Sequence, residues 1–309
     1  MAGGRIMLKD AVDTYLAVRR AGGFKLQNDE LYLISFAQFA TTQGDTHVVA
    51  QTAIAWAGLA RSESQRATRL KVVIRFARFS RATDRRHELP PPGVFNPQRQ
   101  RPVPYLFRDE EVQALMAHAA QLGPAGSLRP HVYRTLIGLL AATGLRISEA
   151  LELCFQDVTA DGLVIRETKF RKSRLVPLHP TTRAALEAYM VRRAQLATDH
   201  EHLFVSLWGR PLTRTTIYPT FRRLLAAAGL PRTPGRSQPR LIDFRHTFAS
   251  NVLLTSPEGR DHIGRHILAL TTYLGHAHVG CTFWYLESSP QLMGDIAQAC
   301  EHFVEENTP

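Results

Sequence analysis

The sequence predicts a mainly α protein of two mostly helical domains, the second carrying one small antiparallel β-sheet. Three observations predict it. Apolar residues recur at helical spacing over most of the chain, prolines crowd between residues 85 and 104, and two short β-like runs flank a basic turn near residues 163–178. At 309 residues the chain is about twice the usual single-domain size, so two domains with real cores are expected.

Helical spacing in the first domain, 1–84, comes in four stretches: Leu8–Arg19, Asn28–Thr42, His47–Leu59 and Ser64–Ser80. In the last of these, Leu70, Val73, Ile74, Phe76 and Ala77 form an apolar face and Arg66, Arg69 and Arg75 a basic one. DNA phosphates could lie along that basic face, and so could plain water. Pro90, Pro91, Pro92, Pro97, Pro102 and Pro104 then block regular structure, which assigns residues 85–104 to an extended, basic linker. The second domain, 105–309, opens with FRDEEVQALMAHAAQL, whose acidic first turn suits the positive end of a helix. A strongly apolar helix follows over His131–Thr143, then a hairpin over Leu163–Leu178, with HLFVSL as a candidate third strand. From Thr181 onward the pattern is helical again, broken by the loops PRTPGRSQPR and LTSPEGR.

Thirty-eight Lys and Arg against 27 Asp and Glu leave a formal charge of +11, which favours a polyanionic partner. No apolar run approaches the length of a membrane span, and the opening MAGGRIMLKD lacks the apolar core of a signal peptide. A soluble cytoplasmic protein with no membrane partner is expected. Cys154, Cys281 and Cys300 make no CxxC pair, so they are expected as reduced thiols, mostly buried. Trp56, Trp208 and Trp284 are expected to pack inside. Glu258, His262, His266, His276 and His278 have ligand-like spacing, but no cysteine or carboxylate set completes a closed site, and no metal is expected.

Separated segments carry the residues a phosphoryl-transfer site needs. In ATGLRISEAL, Arg146 follows Gly144 at a loop-to-helix step and Glu149 lies one turn later, where a carboxylate can orient the guanidinium. Surface ion pairs share that spacing. In TKFRKSRLVPL, Lys169 could donate a proton to a leaving oxygen, while Arg171, Lys172 and Arg174 suit ordinary phosphate contacts or a solvated turn. PRLIDFRHTFASNVLL supplies Arg245 and His246, TTYLGHAHV supplies His276, and CTFWYLESS supplies Tyr285, whose phenol could attack phosphorus.

Taken in order, ATGLRISEAL, TKFRKSRLVPL, DFRHTFA, YLGHAHV and WYL resemble the tyrosine recombinase, or phage integrase, family over most of residues 105–300. The resemblance implies a DNA strand-exchange enzyme with an N-terminal core-binding domain and a C-terminal catalytic domain. By that likeness Arg146 and Arg245 neutralise the scissile phosphate, His276 hydrogen-bonds it, Glu149 supports the arginines, Lys169 is the general acid for the 5′-hydroxyl, and Tyr285 is the nucleophile. It also implies chemistry without cofactor, metal or ATP, double-stranded DNA as partner, a homotetramer or dimer of dimers on DNA, and in some systems partner recombinases. The last helix, 290–304, would dock on a neighbouring subunit or on its own domain.

One position departs from the family pattern. The resemblance places His three residues before the second arginine, and this chain has Ile242. Isoleucine neither accepts a tyrosine proton nor donates to phosphate. Loss of one acid–base group costs roughly a factor of 10² to 10⁴ in rate, so weakened activity is expected. His246, one helical turn after Ile242, is a candidate substitute by spacing alone. Ile242 also motivates a rival, a DNA-binding regulator or accessory subunit with lost catalysis; a second rival is a type IB topoisomerase-like enzyme that cleaves without synapsis.

Overall fold

The computed structural model describes residues 8–97, 103–166, 173–230, 238–254, 260–276, 278–280 and 282, of which 260–264 by backbone only. Two compact units divide the chain, Met1–Arg101 and Pro102–Pro309.

The first unit holds α1 (Leu8–Ala21), α2 (Gln27–Thr42), α3 (Ala50–Gly58) and α4 (Glu63–Arg81). Val12, Leu33, Phe36, Trp56, Val73 and Phe76 form its core, as the apolar stripe of each helix requires. Ser62 caps α4, its hydroxyl accepting from the Gln65 amide at 3.3 Å. Beyond α4 the chain turns back on this unit. The Glu88 amide donates to Val48 O at 2.8 Å, the Val48 amide donates to Nδ1 of the buried His87 at 3.1 Å, and the Glu88 carboxylate accepts from the Ala50 amide at the start of α3.

The second unit holds α5 (Asp109–Ala119), α6 (Arg129–Thr143), α7 (Ile147–Leu151), β1 (Val158–Thr159), β2 (Gly162–Ile165), β3 (Arg174–Val176), α8 (Pro180–Ala194), α9 (Arg214–Ala227), α10 (Leu241–Leu254) and α11 (Arg260–Leu274). Apolar α6 is its centre, packed against α5, α8 and α10. Phe107 stacks on Phe244 of α10 with ring centroids 4.4 Å apart. The sheet runs β1-β2-β3, antiparallel throughout, with Leu163 opposite Val176 and Ile165 opposite Arg174.

The expected hairpin is present, but its third strand is Val158–Thr159 and not HLFVSL. Leu203, Phe204 and Val205 are all buried, without the in–out alternation of a half-exposed strand. Their backbone meets two loop segments instead. The Leu203 amide donates to Leu153 O at 2.8 Å and the Leu212 amide to Phe204 O at 3.0 Å, so the stretch threads the core rather than extending the sheet.

Trp56 is buried as expected, whereas Trp208 is 86% exposed. A tight turn holds it out: the Ser206 amide donates to Arg210 O at 2.7 Å, and Gly209 at its tip has φ +70. Trp284, Cys281 and Cys300 lie outside the described residues; Cys154 is half-buried, and burial pushes its thiol pKa up. Among the described residues no helix is long and apolar enough to cross a membrane.

Candidate active site

Two glycine-terminated helices set the site. α6 ends at Gly144, whose φ of +60 is the left-handed conformation that closes a helix C-terminus. A Cβ there would come within 2.6 Å of the Phe248 ring. α11 ends in the same way at Gly275, φ +64, where a Cβ would come within 2.9 Å of Arg174 Nη1. The last carbonyls of a helix lack partners within it and carry its negative end, so they attract cations.

Three guanidinium groups from three elements converge on the α11 terminus. Arg174 of β3 donates through Nε to Tyr273 O at 2.7 Å. Arg245 of α10 donates through Nη2 to Leu274 O at 2.5 Å and through Nη1 to Gly144 O at 3.0 Å. Arg146, preceding α7, reaches Leu274 O at 3.5 Å and Gly275 O at 3.3 Å. Their exposures differ in a way that matters: Arg245 is 2% exposed and the Arg174 side chain 11%, whereas the Arg146 side chain remains 34% open to an incoming anion.

Glu149 ties two of these arginines together. Its Oε1 accepts from Arg146 Nη1 at 2.7 Å and Arg174 Nη1 at 3.1 Å; its Oε2 accepts from the Arg146 amide at 3.0 Å and Arg174 Nη2 at 2.8 Å. Burial alone would raise the Glu149 pKa, but the hydrogen bonds and charges of Arg174 and Arg146 outweigh it and bring it to about 2. The carboxylate is ionised and its lone pairs are occupied, leaving one orientation.

His276 follows Gly275 directly. Burial and the positive charges of Arg245, Arg146 and Arg174 lower its pKa to about 4, with Glu149 opposing them weakly. The ring is neutral near pH 7. Its Nδ1 lies 2.8 Å from Thr282 Oγ1. Tyr273 stacks on Phe248 at 5.4 Å and burial raises its phenol pKa to about 12, so it stays protonated.

Arg146, Glu149, Arg245 and His276, picked out from separate segments, are therefore brought together, and Lys169, Arg171, Lys172 and Tyr285 lie outside the described residues. Arg174 corrects the sequence reading: its nitrogens face Glu149 and Tyr273 O, not a solvated turn. Strand alternation was the available signal, because Arg174 shares the inward face of buried Val176 while Leu175 is 46% exposed. Thr271 and Thr282 carried no signal of their own.

Ile242 is half-buried on α10, three residues before Arg245, and brings no titratable group. His246 faces the fully buried Asp243 carboxylate, Nε2 to Oδ1 3.9 Å, and burial lowers its pKa to about 4. Asp243 is held by Arg240, whose amide donates at 2.7 Å and Nη2 at 2.9 Å. In the first unit Arg66 pairs with Glu63 at 3.4 Å, Arg75 with Asp29 at 2.8 Å, and Arg69 lies over the Trp56 ring at 5.1 Å.

Among the described residues no group of three or more His, Cys, Asp or Glu could hold a metal ion. His266 Nε2 instead contacts Val252 O at 2.9 Å, and Glu258 lies outside the description. A cavity of about 670 Å³ between α5, α6 and α8, lined in part by Met116, Gly138, Ala142 and Tyr189, includes none of the arginine cluster.

Residues 106–291, which contain this whole cluster, match the model of the phage integrase family. The chain belongs to that family. It is 40% identical over 312 residues to the putative integrase/recombinase y4rB of Sinorhizobium fredii, covering 97% of this chain and 99% of that one. It is 32% identical over 244 residues to the tyrosine recombinase XerD of Caulobacter vibrioides, covering 77% and 75%. In fold it resembles the XerH site-specific recombinase bound to a palindromic difH substrate, with a TM-score of 0.65, 18% identity, and 89% and 79% coverage. As a tyrosine recombinase family member, the chain has the mainly helical architecture with a small antiparallel sheet that its motifs implied.

Proposed function

We propose that this chain is a site-specific recombinase that cuts and rejoins duplex DNA through a 3′-phosphotyrosyl intermediate at Tyr285. The convergence of Arg146, Arg245 and His276 on the α11 terminus carries the reading. Arg146 and Arg245 bind the nonbridging oxygens of the scissile phosphate and neutralise charge as phosphorus becomes five-coordinate. Both are already anchored on fixed carbonyls, so little reorganisation accompanies the reaction. Tyr285 Oη bonds to phosphorus, the bond to the 5′-oxygen breaks, and Lys169 protonates the departing oxygen. Rejoining reverses these steps with a 5′-hydroxyl from a second duplex. Bond energy is kept in the phosphotyrosine, so neither ATP nor a divalent ion is needed. Two dimers assembled on paired sites, with or without partner recombinases, complete the exchange; the C-terminal segment 290–304 is the proposed link between subunits. The basic face of α4 and the turn residues Arg171 and Lys172 add phosphate contacts.

Covalent trapping tests this. The protein is incubated in EDTA with nicked duplexes from the DNA flanking its own coding region, and a denaturant-resistant adduct is sought. An adduct absent in Tyr285→Phe supports the reading, and its absence from the unaltered protein on demonstrably bound DNA defeats it. Ile242 favours a second reading, a DNA-binding regulator with the same fold and silent chemistry. That reading gains if Ile242→His also fails to produce the adduct.

A further inference from the structure

The hydroxyl protons around His276 can be counted. Thr271 Oγ1 lies 2.7 Å from Ile267 O, and a carbonyl oxygen only accepts, so the single Thr271 hydroxyl proton points there. At the 2.8 Å contact between the two hydroxyls, Thr282 must then be the donor and Thr271 the acceptor. Thr282 has no second proton to give. At its 2.8 Å contact with His276, the threonine oxygen must accept, and Nδ1 of the imidazole must donate. Thr282 is 0% and Thr271 6% exposed, so solvent does not rewrite this chain of bonds. A neutral imidazole carries one proton. That proton sits on Nδ1, which leaves Nε2, on the other edge of the ring, as a bare lone pair.

Such a ring accepts through Nε2 and cannot donate through it. We infer that His276 is the proton acceptor of the cleavage step, taking the Tyr285 phenol proton on Nε2 as Oη attacks phosphorus. The inference rests on the function proposed above and reassigns one role within it. Oη bonds to phosphorus, the phenol proton passes to Nε2, the bond to the 5′-oxygen breaks, and that oxygen takes its proton from Lys169. His276 is then an imidazolium with both nitrogens protonated, able to donate to a phosphoryl oxygen beside Arg146 and Arg245. On rejoining it returns the proton to the departing phenolate. Accepting this proton is the task that Ile242, at the position where the family carries histidine, cannot perform.

The charged surroundings agree with a neutral ring before attack. Arg245 from α10, Arg146 and Glu149 from the α7 segment and Arg174 from β3 surround His276, with a net positive balance that opposes its protonation. Thr282 is the positioning residue, since its oxygen fixes which nitrogen is protonated.

Two measurements on the full chain test the inference. Two-bond proton–nitrogen correlation spectra of the free protein, with His276 assigned from His276→Gln, report the tautomer independently of activity. The Nδ1–H form is expected, it should shift toward Nε2–H in Thr282→Val and return in Thr282→Ser, and an Nε2–H ring in the unaltered protein overturns the inference. Single-turnover adduct formation on saturating nicked duplex should rise with pH as His276 loses its proton, and His276→Gln should remove that limb while slowing the reaction roughly 10²-fold. An imidazolium donor requires the opposite slope, so a rate that falls as pH rises through this range overturns the acceptor role and leaves Tyr285 chemistry standing. No adduct from the unaltered protein on bound DNA overturns both.

Discussion

Glu149 and Arg174 are joined by two parallel hydrogen bonds, Nη1 to Oε1 at 3.1 Å and Nη2 to Oε2 at 2.8 Å, between side chains only 11% and 8% exposed. The same carboxylate holds Arg146, so a residue of the sheet sets the orientation of a residue open to phosphate. Through Nε, Arg174 also grips the turn that bears His276. One side chain thus ties β3, α7 and α11 together.

Arg174→Met should therefore destabilise the protein by about 3 kcal/mol, because it leaves a buried carboxylate with part of its hydrogen bonding gone. Arg174→Lys keeps the charge and loses the two-pronged geometry, so it should cost less. Urea unfolding gives the two values. Equal losses would mean that charge, not bonding geometry, is what Arg174 contributes.

Gly275→Ala combines left-handed backbone strain of about 1–2 kcal/mol with a Cβ 2.9 Å from Arg174 Nη1. Gly229 is the internal control, with φ +70 and nothing within 4 Å of an added Cβ. Gly229→Ala should cost only the strain. Gly275→Ala should cost more and also slow adduct formation, since Arg174 must move; if the two variants unfold alike and cleave alike, the close approach has no consequence.

Acid should destabilise this protein in two stages. His246 and His276 have folded pKa values of about 4, below the ordinary 6.5, so the unfolded chain binds more protons between those limits. Their neutral-state advantage is complete above about pH 6.5 and is lost as pH falls toward 4, a pKa difference of one corresponding to about 1.4 kcal/mol. Glu149, at about 2 against 4.5, contributes stability above pH 4.5 that is lost as pH falls toward 2. Urea midpoints measured from pH 7 to 3 should fall across both windows, and His246→Gln should flatten the upper one. A midpoint constant from pH 7 to 4.5 would contradict the buried, neutral histidines.

Trp208, with 86% of its surface exposed, gives little to the fold. Trp208→Ala should change unfolding free energy by less than about 0.5 kcal/mol, in contrast to buried Trp56, whose truncation should cost about 3–5 kcal/mol. Tryptophan fluorescence quenching by iodide should also lose its accessible component in Trp208→Ala.

Local signals made much of this fold legible. The spacing of Leu70, Val73 and Ala77 places α4 and its inward face, and Gly144 and Gly275 mark helix ends that only a left-handed residue closes easily. HLFVSL misleads because a continuous apolar run is the same whether it extends a sheet or threads a core. Trp208 misleads because hydrophobicity reports a preference for burial, and a turn held by Ser206 and Arg210 can override it.

By itself the sequence determined the order of the helices, the position of the hairpin, the family, and the identity of Arg146, Glu149, Arg245 and His276 as one set. Residue type and spacing along the chain carry that information. Only the tertiary structure decided that Arg174 turns inward to Glu149 and that Thr271 and Thr282 fix the proton of His276. Hydrogen-bond direction depends on which groups meet across elements distant in sequence, such as Arg174 on β3 and Tyr273 on α11, and a one-dimensional pattern does not record those meetings.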